Sequence, residues 1–244
     1  MKSAILRLGL CRSLYKKEMR AYFDNPTAYV VTVVLLVLCG YFFATPLFLR
    51  NQAMIGGFTG IAPMLFLFFI PAITMRLYSE EMKSGTIELL STLPVRDEEV
   101  LGAKFLAAMT VVTFMLVGTV SFPLTLGALG APDWGAIAGA YAGLWLTAAV
   151  YAAIGLWASS MTRNQIIAFI IAFLVNFLIF LSGKAHDFVP ENLAFITDFI
   201  GVDSHLDRIS RGLVDCRDIL YFLSFSGYFL YLTHLNTHVR RLRG

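Results

Sequence analysis

The residues of this chain that are best suited to binding chemistry lie at positions 80–94, which read EEMKSGTIELLSTLP. They place carboxylates, an amine and hydroxyl groups in a short segment between two long apolar runs. Gly85 can end a helix by adopting a positive φ angle, and Thr86 can cap a new helix that carries Glu88 in its first turn. The pattern predicts a rigid helix–break–helix that protrudes from the apolar part of the protein.

A second group of polar side chains, Asp203, His205 and Asp207, resembles a set of metal ligands. On a helix, however, residues at i, i+2 and i+4 do not share one face, because the middle residue points away from the outer two. Two carboxylates and one imidazole without a fourth ligand also make a weak site. We therefore predict no metal site in this chain.

Sequence patterns of enzymes are absent: there is no GxxxxGK[ST], no HExxH and no GxSxG. Ionisable residues are nearly absent from the apolar runs, which disfavours a proton- or ion-coupled pump. Asn176 is the clearest amide within a run, and we favour an interhelical hydrogen bond over a substrate contact for it. Any energy for transport must therefore come from another protein.

The composition predicts the elements that position these residues. The chain has 244 residues, of which 58% are hydrophobic and 14% charged, and a soluble domain of this size cannot bury so much apolar surface. One membrane-spanning helix needs about 20 apolar residues. We expect an all-α polytopic protein with one domain, residues 1–244, and six transmembrane helices. The six runs are residues 29–49, 55–77, 101–126, 136–157, 166–181 and 219–235.

The basic residues predict the orientation, because Lys and Arg are enriched in cytoplasmic loops. With the N-terminus in the cytoplasm, 14 of the 19 Lys and Arg residues lie on that side. Six spans then return the C-terminus to the cytoplasm. The net charge of +3 reflects this orientation, and it gives no reason to expect nucleic-acid binding.

Three further segments have distinct patterns. Residues 1–25 are basic with apolar residues at helical spacing, which predicts an amphipathic helix in the lipid headgroup plane, either as an anchor or also beside a cytoplasmic partner. Residues 184–218 predict short amphipathic helices on the outer surface, before the last span. The fourth span has a stripe of small residues for close helix packing, which we expect to be within the chain. The stripe comprises Gly135, Gly139, Gly143, Thr147, Gly155 and Ser159, and Tyr151 interrupts it.

These features together resemble the permease subunits of type-2 ABC transporters. The resemblance covers essentially the whole chain and depends most on the G-T-x-E-x-L core of residues 85–90. The residues HLDRISRGLVD at 205–215 and RDILYFL at 217–223 are similar to one branch of the family. That branch contains gliding-motility permeases and the permease of nitrous-oxide-reductase maturation.

The resemblance implies a multi-pass protein of a bacterial plasma (inner) membrane, paired with a second permease copy or a homologous permease. Each half would dock on a separate cytoplasmic ATPase, which would bind ATP and Mg, so no cofactor is expected in this chain. Residues 1–25 would be the elbow helix, and residues 79–96 would be the coupling segment. The residues set into the ATPase groove would be Glu80, Glu81, Gly85, Thr86, Glu88 and Leu89.

Three functions remain open at this point. The favoured one is a permease that couples ATP hydrolysis by its partner to export or movement of a substrate. The second is a mechanotransmitter with the same architecture that acts on a periplasmic or membrane partner protein. The third is a membrane enzyme that acts on lipid or peptide through its outer segment, with His186, Asp203, His205 and Asp207 as the residues to test.

Overall fold

The computed structural model describes residues 2–49, 55–86, 95–130, 132–184, 201–212 and 215–243. Every regular element within those ranges is a helix and none is a strand, which confirms the predicted all-α fold. The helices are α1 (Lys2–Phe23), α2 (Pro26–Leu49), α3 (Gly56–Thr74), α4 (Arg76–Ser84), α5 (Asp97–Gly118), α6 (Ser121–Leu129), α7 (Trp134–Met161), α8 (Gln165–Lys184), α9 (Val202–Ser210) and α10 (Cys216–Arg243).

Five helical stretches are long and apolar enough to cross a membrane. They are α2, α3 with α4, α5 with α6, α7 and α8, and each corresponds to one predicted run. The sixth predicted run lies in α10, which is 28 residues long but is interrupted by polar residues such as Ser226, Thr233 and Asn236. The prediction of a multi-pass protein is therefore confirmed with five candidate spans, and the sixth span stays a prediction.

Helix α7 forms the centre of the bundle, because 72% of its most apolar stretch lies inside the protein. It packs against α3, α5, α8, α9 and α10. In α2 and α8, by contrast, only 22% of the corresponding stretch is buried. Their outward faces carry large apolar side chains, such as Val37 and Leu178, which suits contact with lipid or with another subunit.

The small residues of α7 allow its neighbours to approach closely. A side-chain carbon at Gly139 would overlap the backbone oxygen of Ile209 in α9, and one at Gly155 would overlap the Thr74 side chain in α3. Small residues on one helical face permit such contacts between membrane helices. The prediction that this stripe packs within the chain is confirmed at both positions.

A break at Met75 separates α3 from α4, and Ser159 of α7 inserts into it. The Ser159 hydroxyl accepts hydrogen bonds from the backbone N–H groups of Tyr78 (2.9 Å) and Ser79 (3.1 Å), and it donates to the Met75 carbonyl (2.9 Å). A hydroxyl can make one donated and two accepted bonds, so Ser159 is fully satisfied. This contact replaces backbone bonds that an unbroken helix would make itself, and it fixes the start of α4 against α7.

Candidate functional site

Helix α4 and the two residues after it, Gly85 and Thr86, form a projection that we call the arm. Gly85 ends the helix with φ = 72°, in the left-handed region, which confirms the positive φ predicted for it. A Cβ at this position would meet no atom within 4 Å. Conformation rather than space therefore favours glycine, since the left-handed region costs other L-residues about 1–2 kcal/mol.

The arm is joined to the rest of the protein through Lys104 of α5, whose side chain is only 1% exposed. Its Nζ atom donates to Glu18 Oε1 of α1 (2.9 Å) and to the Leu77 carbonyl (2.7 Å), and it lies 2.9 Å from Glu81 Oε2. An unpaired charge at such depth would be strongly destabilising. These contacts therefore hold α1, the arm and α5 together.

Lys17 of α1 binds the other oxygen of the same carboxylate, with its Nζ atom 2.7 Å from Glu81 Oε1. Burial lowers the pKa of Lys17, but the hydrogen bond and charge of Glu81, helped by Glu18, outweigh that effect and raise it above its ordinary value. Lys17, Glu18, Glu81 and Lys104 are two cations and two anions, so their formal charges cancel. We call these four residues the Lys104 cluster.

Two more contacts attach α1 to the break that begins the arm. The Tyr22 hydroxyl donates to the Ile73 carbonyl (2.8 Å), and Arg76 Nη2 donates to the Ala21 carbonyl (2.9 Å). The Arg76 guanidinium also lies over the Tyr22 ring, 4.9 Å from its centroid, at a distance typical of a cation–π contact. The start of the arm is thus held by α1 on one side and by Ser159 of α7 on the other.

A groove of about 490 Å³ runs between α1 and the arm. Apolar atoms of Leu14, Ala21 and Leu77 contribute to its lining, together with polar groups along the arm. The polar groups include Arg76, Glu80, Ser84 and Thr86. The groove therefore ends at the exposed tip of the arm, where it is open to a second molecule.

The structure separates the predicted coupling residues by their surroundings. Glu80 is exposed on the wall of the groove, and Gly85 and Thr86 are exposed at the tip of the arm. The side chain of Glu81 is 12% exposed and points inward to the two lysines. Glu88 and Leu89 belong to residues 87–94, which lie outside the described residues. The role of all six in coupling stays a prediction.

Sequence reasoning missed Glu18 and Lys104 as partners of the arm. Two signals were available in the sequence. Glu18 is the only acidic residue among the first 20, and Lys104 is the only ionisable residue in the run 101–126. A lone charge in an apolar run indicates a buried partner, but the sequence does not show which residue that partner is.

At the opposite end of the bundle, α9 is joined to the first turn of α10. His205 Nδ1 lies 2.6 Å from Asp218 Oδ1, and Arg208 Nη2 donates to the same oxygen at 2.5 Å. Asp218 is completely buried, and the His205 ring stacks on Tyr221 with 4.0 Å between the ring centroids. We call His205, Arg208 and Asp218 the outer ion cluster.

The three side chains that resembled metal ligands bind different groups. Asp203 pairs with Lys184 (2.5 Å), His205 with Asp218, and Asp207 with Arg211 (3.8 Å). No group of three potential ligands occurs among the described residues. His186, which we had named for the enzyme alternative, lies outside them. Asp203 and His205 therefore join α9 to neighbouring helices, whereas Asp207 makes only an exposed pair at the end of α9 itself.

Comparison with known proteins identifies a family for most of the chain. Residues 46–241 match the family model described as "ABC-2 family transporter protein". This range is well over half of the 244-residue chain and includes the arm, α7 and the outer ion cluster. It excludes α1, so Lys17 and Glu18 lie outside it. No curated protein matches the chain significantly.

Proposed function

The chain belongs to the ABC-2 family of transporter proteins, and we propose that its arm is the element through which a separate ATPase drives its membrane helices. Membership of the family makes the chain a multi-pass permease subunit of an ABC transporter, associated with a cytoplasmic ATPase. The finer proposal is that Glu80, Gly85 and Thr86 face this ATPase. Export or movement of a substrate would then follow from displacement of the arm.

The observation that carries this proposal is the Lys104 cluster. Glu81 of the arm is bound by a lysine of α1 and by a lysine of α5, and both contacts are short. Lys104 is buried between Glu81 of the arm and Glu18 of α1, and breaking a buried ion pair by moving one partner away costs about 3–5 kcal/mol. The half-exposed Lys17 adds less, because exposed pairs are weak. A force on the arm is therefore transmitted to α1 and α5 together, because separating them costs more than moving them as a unit.

We propose different roles for the two adjacent glutamates of the arm. Glu80 is exposed on the groove wall and is available to a partner, whereas Glu81 anchors the arm inside the protein. Glu88 and Leu89 follow the tip of the arm in the sequence, and we propose that they continue the ATPase contact. The groove beside α1 gives that partner an apolar surface and a charged rim.

We also propose that α10 is the sixth span. One end is attached to the outer helix α9 through Asp218 and Arg208, and the other end is attached to Asp97, at the start of α5, through Arg241 at 2.9 Å. Asp97 follows the arm along the chain, so α10 reaches from the outer ion cluster to the side of the bundle where the arm lies. Its 28 residues correspond to about 42 Å, enough to cross a bilayer. The C-terminus would then lie on the cytoplasmic side with the arm.

Photo-crosslinking tests the proposed ATPase contact. A benzophenone amino acid at Lys83, exposed on the arm, is expected to capture a protein with a nucleotide-binding GxxxxGK[ST] motif in cells that make the full chain. The same amino acid at Arg211, exposed at the opposite end, is the matched control. Capture of no such ATPase at position 83, or equal capture at both positions, would contradict the proposal.

A further inference from the structure

Three polar side chains in the middle of the bundle have no hydrogen-bond partner among the described residues. They are Thr147 and Tyr151 of α7 and Asn176 of α8, and each is 0% exposed. Both amide atoms of Asn176 and both hydroxyl oxygens are unpartnered. The interhelical hydrogen bond that the sequence led us to favour for Asn176 is therefore not formed within the described structure.

Buried polar groups without hydrogen bonds lower the stability of a protein, and isosteric apolar residues avoid that loss. Valine has the shape of threonine, and phenylalanine has the shape of tyrosine. Packing therefore does not require an oxygen at position 147 or 151. Within a membrane there is also no surrounding water to compensate. These oxygens are best explained by a molecule that binds to them.

The three side chains lie on faces that meet. Thr147 and Tyr151 are one turn apart on the small-residue stripe of α7, between Gly143, which contacts α9, and Gly155, which contacts α3. Helix α8 packs against α7, α3 and α9. Asn176 belongs to the buried stripe of α8, with Ala168, Ala172 and Ile179. Both stripes therefore face the region where α3, α7, α8 and α9 pack together.

They also lie at matching depth. Helices α7 and α8 are antiparallel neighbours, joined by the short segment between Met161 and Gln165. Tyr151 precedes the end of α7 by ten residues, and Asn176 follows the start of α8 by eleven. At 1.5 Å per residue, both are about 15–17 Å from that end. This is about half the ~30 Å thickness of the hydrocarbon core.

Helix α9 lies across the outer end of these faces. Its residues Leu206 and Asp203 occupy the space where a side chain at Gly143 of α7 and at Gly183 of α8 would be. Helix α9 packs on α7 through Leu206 and Ile209, and ion pairs join it to α8 at Lys184 and to α10 within the outer ion cluster. Weakening these ion pairs therefore loosens two of the three helices that hold α9.

We propose that Thr147, Tyr151 and Asn176 form a mid-bundle site for an uncharged, hydrogen-bonding part of the transported molecule, with α9 as its outer lid. The chemical class of the ligand follows from these three side chains. Two hydroxyls and one carboxamide offer neutral donors and acceptors, and none of the three carries a charge. A hydroxyl- or amide-bearing group fits this set, whereas an isolated ion would lack a counter-charge. The inference rests on the proposed function, because it assigns the site to a transported molecule.

Thiol labelling tests the site without requiring the substrate. In the full chain, with Cys11, Cys39 and Cys216 replaced by alanine, Thr147→Cys and Asn176→Cys are made singly. Ala149→Cys is the control, because Ala149 is also buried but lies about 200° around α7 from Thr147. The probe is the membrane-impermeant cation 2-(trimethylammonium)ethyl methanethiosulfonate, added to the outer side of sealed membranes. It reacts with thiolates, which need water to form.

Opening the lid with Asp218→Asn is expected to accelerate labelling at positions 147 and 176 by about tenfold or more, because hydrogen bonds to a charged group are worth at least that factor in an equilibrium constant. Arg208→Gln weakens the same ion pair, and the Arg208 side chain is half exposed. It serves as the second variant if Asp218→Asn reduces insertion into the membrane. Labelling of the control, Ala149→Cys, is expected to stay slow both with and without these substitutions. Unchanged rates at positions 147 and 176, or equal acceleration at position 149, would overturn the proposal.

Two oxygen-deleting variants separate this inference from the proposed function. Thr147→Val and Tyr151→Phe are expected to reduce transport-dependent ATPase activity of the assembled complex, while capture of the ATPase by the arm stays unchanged. Full activity in both variants, with intact capture at Lys83, would refute the mid-bundle site alone. If the chain that keeps Thr147 and Tyr151 does not capture the ATPase through the benzophenone at position 83, the proposed function itself is refuted.

Discussion

Replacing Lys104 with methionine tests whether the Lys104 cluster stabilises the protein. The substitution keeps a long apolar side chain but removes the charge that lies 2.9 Å from both Glu18 and Glu81. Removing one partner of a buried pair costs about 3–5 kcal/mol. Lys17 still binds Glu81 at 2.7 Å, so the lower end of this range applies. We therefore expect a loss of about 3 kcal/mol in the free energy of unfolding.

Thermal unfolding of the purified full chain in detergent measures this loss. For a chain of this size, about 3 kcal/mol corresponds to a decrease of about 6–12 °C in the midpoint temperature. Lys83→Met is the matched control, because Lys83 is an exposed lysine on the same arm. Exposed substitutions of this kind change stability by about 0.5 kcal/mol or less.

A triple variant, Glu18→Gln, Glu81→Gln and Lys104→Met, tests whether unpaired charge causes the loss. Replacing the buried members of an ionic group together by neutral residues is often nearly neutral, whereas removing one member is not. Lys17, which is half exposed, is kept. The triple variant is therefore expected to be more stable than Lys104→Met alone. Wild-type stability of Lys104→Met, or a triple variant no more stable than the single one, would refute the assignment of the cluster as a buried ionic link.

Three further predictions concern the arm and its supports. Gly85→Trp is expected to strain the tip of the arm by about 1–2 kcal/mol and to weaken ATPase binding in a pull-down while membrane insertion stays normal. Ser159→Ala removes the three hydrogen bonds at the break and should lower the unfolding midpoint by an amount equivalent to about 1–3 kcal/mol, whereas an unchanged midpoint would contradict the bridging role. Gly155→Ala should destabilise the chain because its Cβ overlaps Thr74, and Thr74→Ala in the same chain should recover part of that loss, since it removes the overlapping hydroxyl but keeps the Thr74 Cβ. An additive double mutant would show that the two residues do not touch.

Local chemistry explains which features could be predicted from the sequence. The helix end at Gly85 depends only on a residue that tolerates positive φ, and the close packing at Gly139 and Gly155 depends only on residue size. Hydrophobic length alone identified five of the spans. The sixth run does not meet the same criterion, because α10 has polar residues between its apolar ones.

The remaining features depend on contacts between elements that are distant in the sequence. Glu18 and Lys104 are 86 positions apart, and helical spacing does not show which charges of α1, α4 and α5 meet. The inward orientation of Glu81 follows from its contacts with Lys17 and Lys104 rather than from the sequence around it. Asn176 illustrates the same limit, because an amide in a span can bond to a neighbouring helix or remain available for a ligand.

We propose that the ATPase moves the membrane helices by displacing the arm, which the Lys104 cluster joins to α1 and α5. Spin labels at Lys83 on the arm and at Arg211 beside α9, measured by pulsed electron resonance in the complex with its ATPase, test it directly. We expect a non-hydrolysable ATP analogue to change the distance between the labels in the unmodified cluster. The change should be lost in Lys104→Met, although the ATPase still binds. The same change in both proteins, or no change in either, would show that the Lys104 cluster does not transmit the movement of the arm.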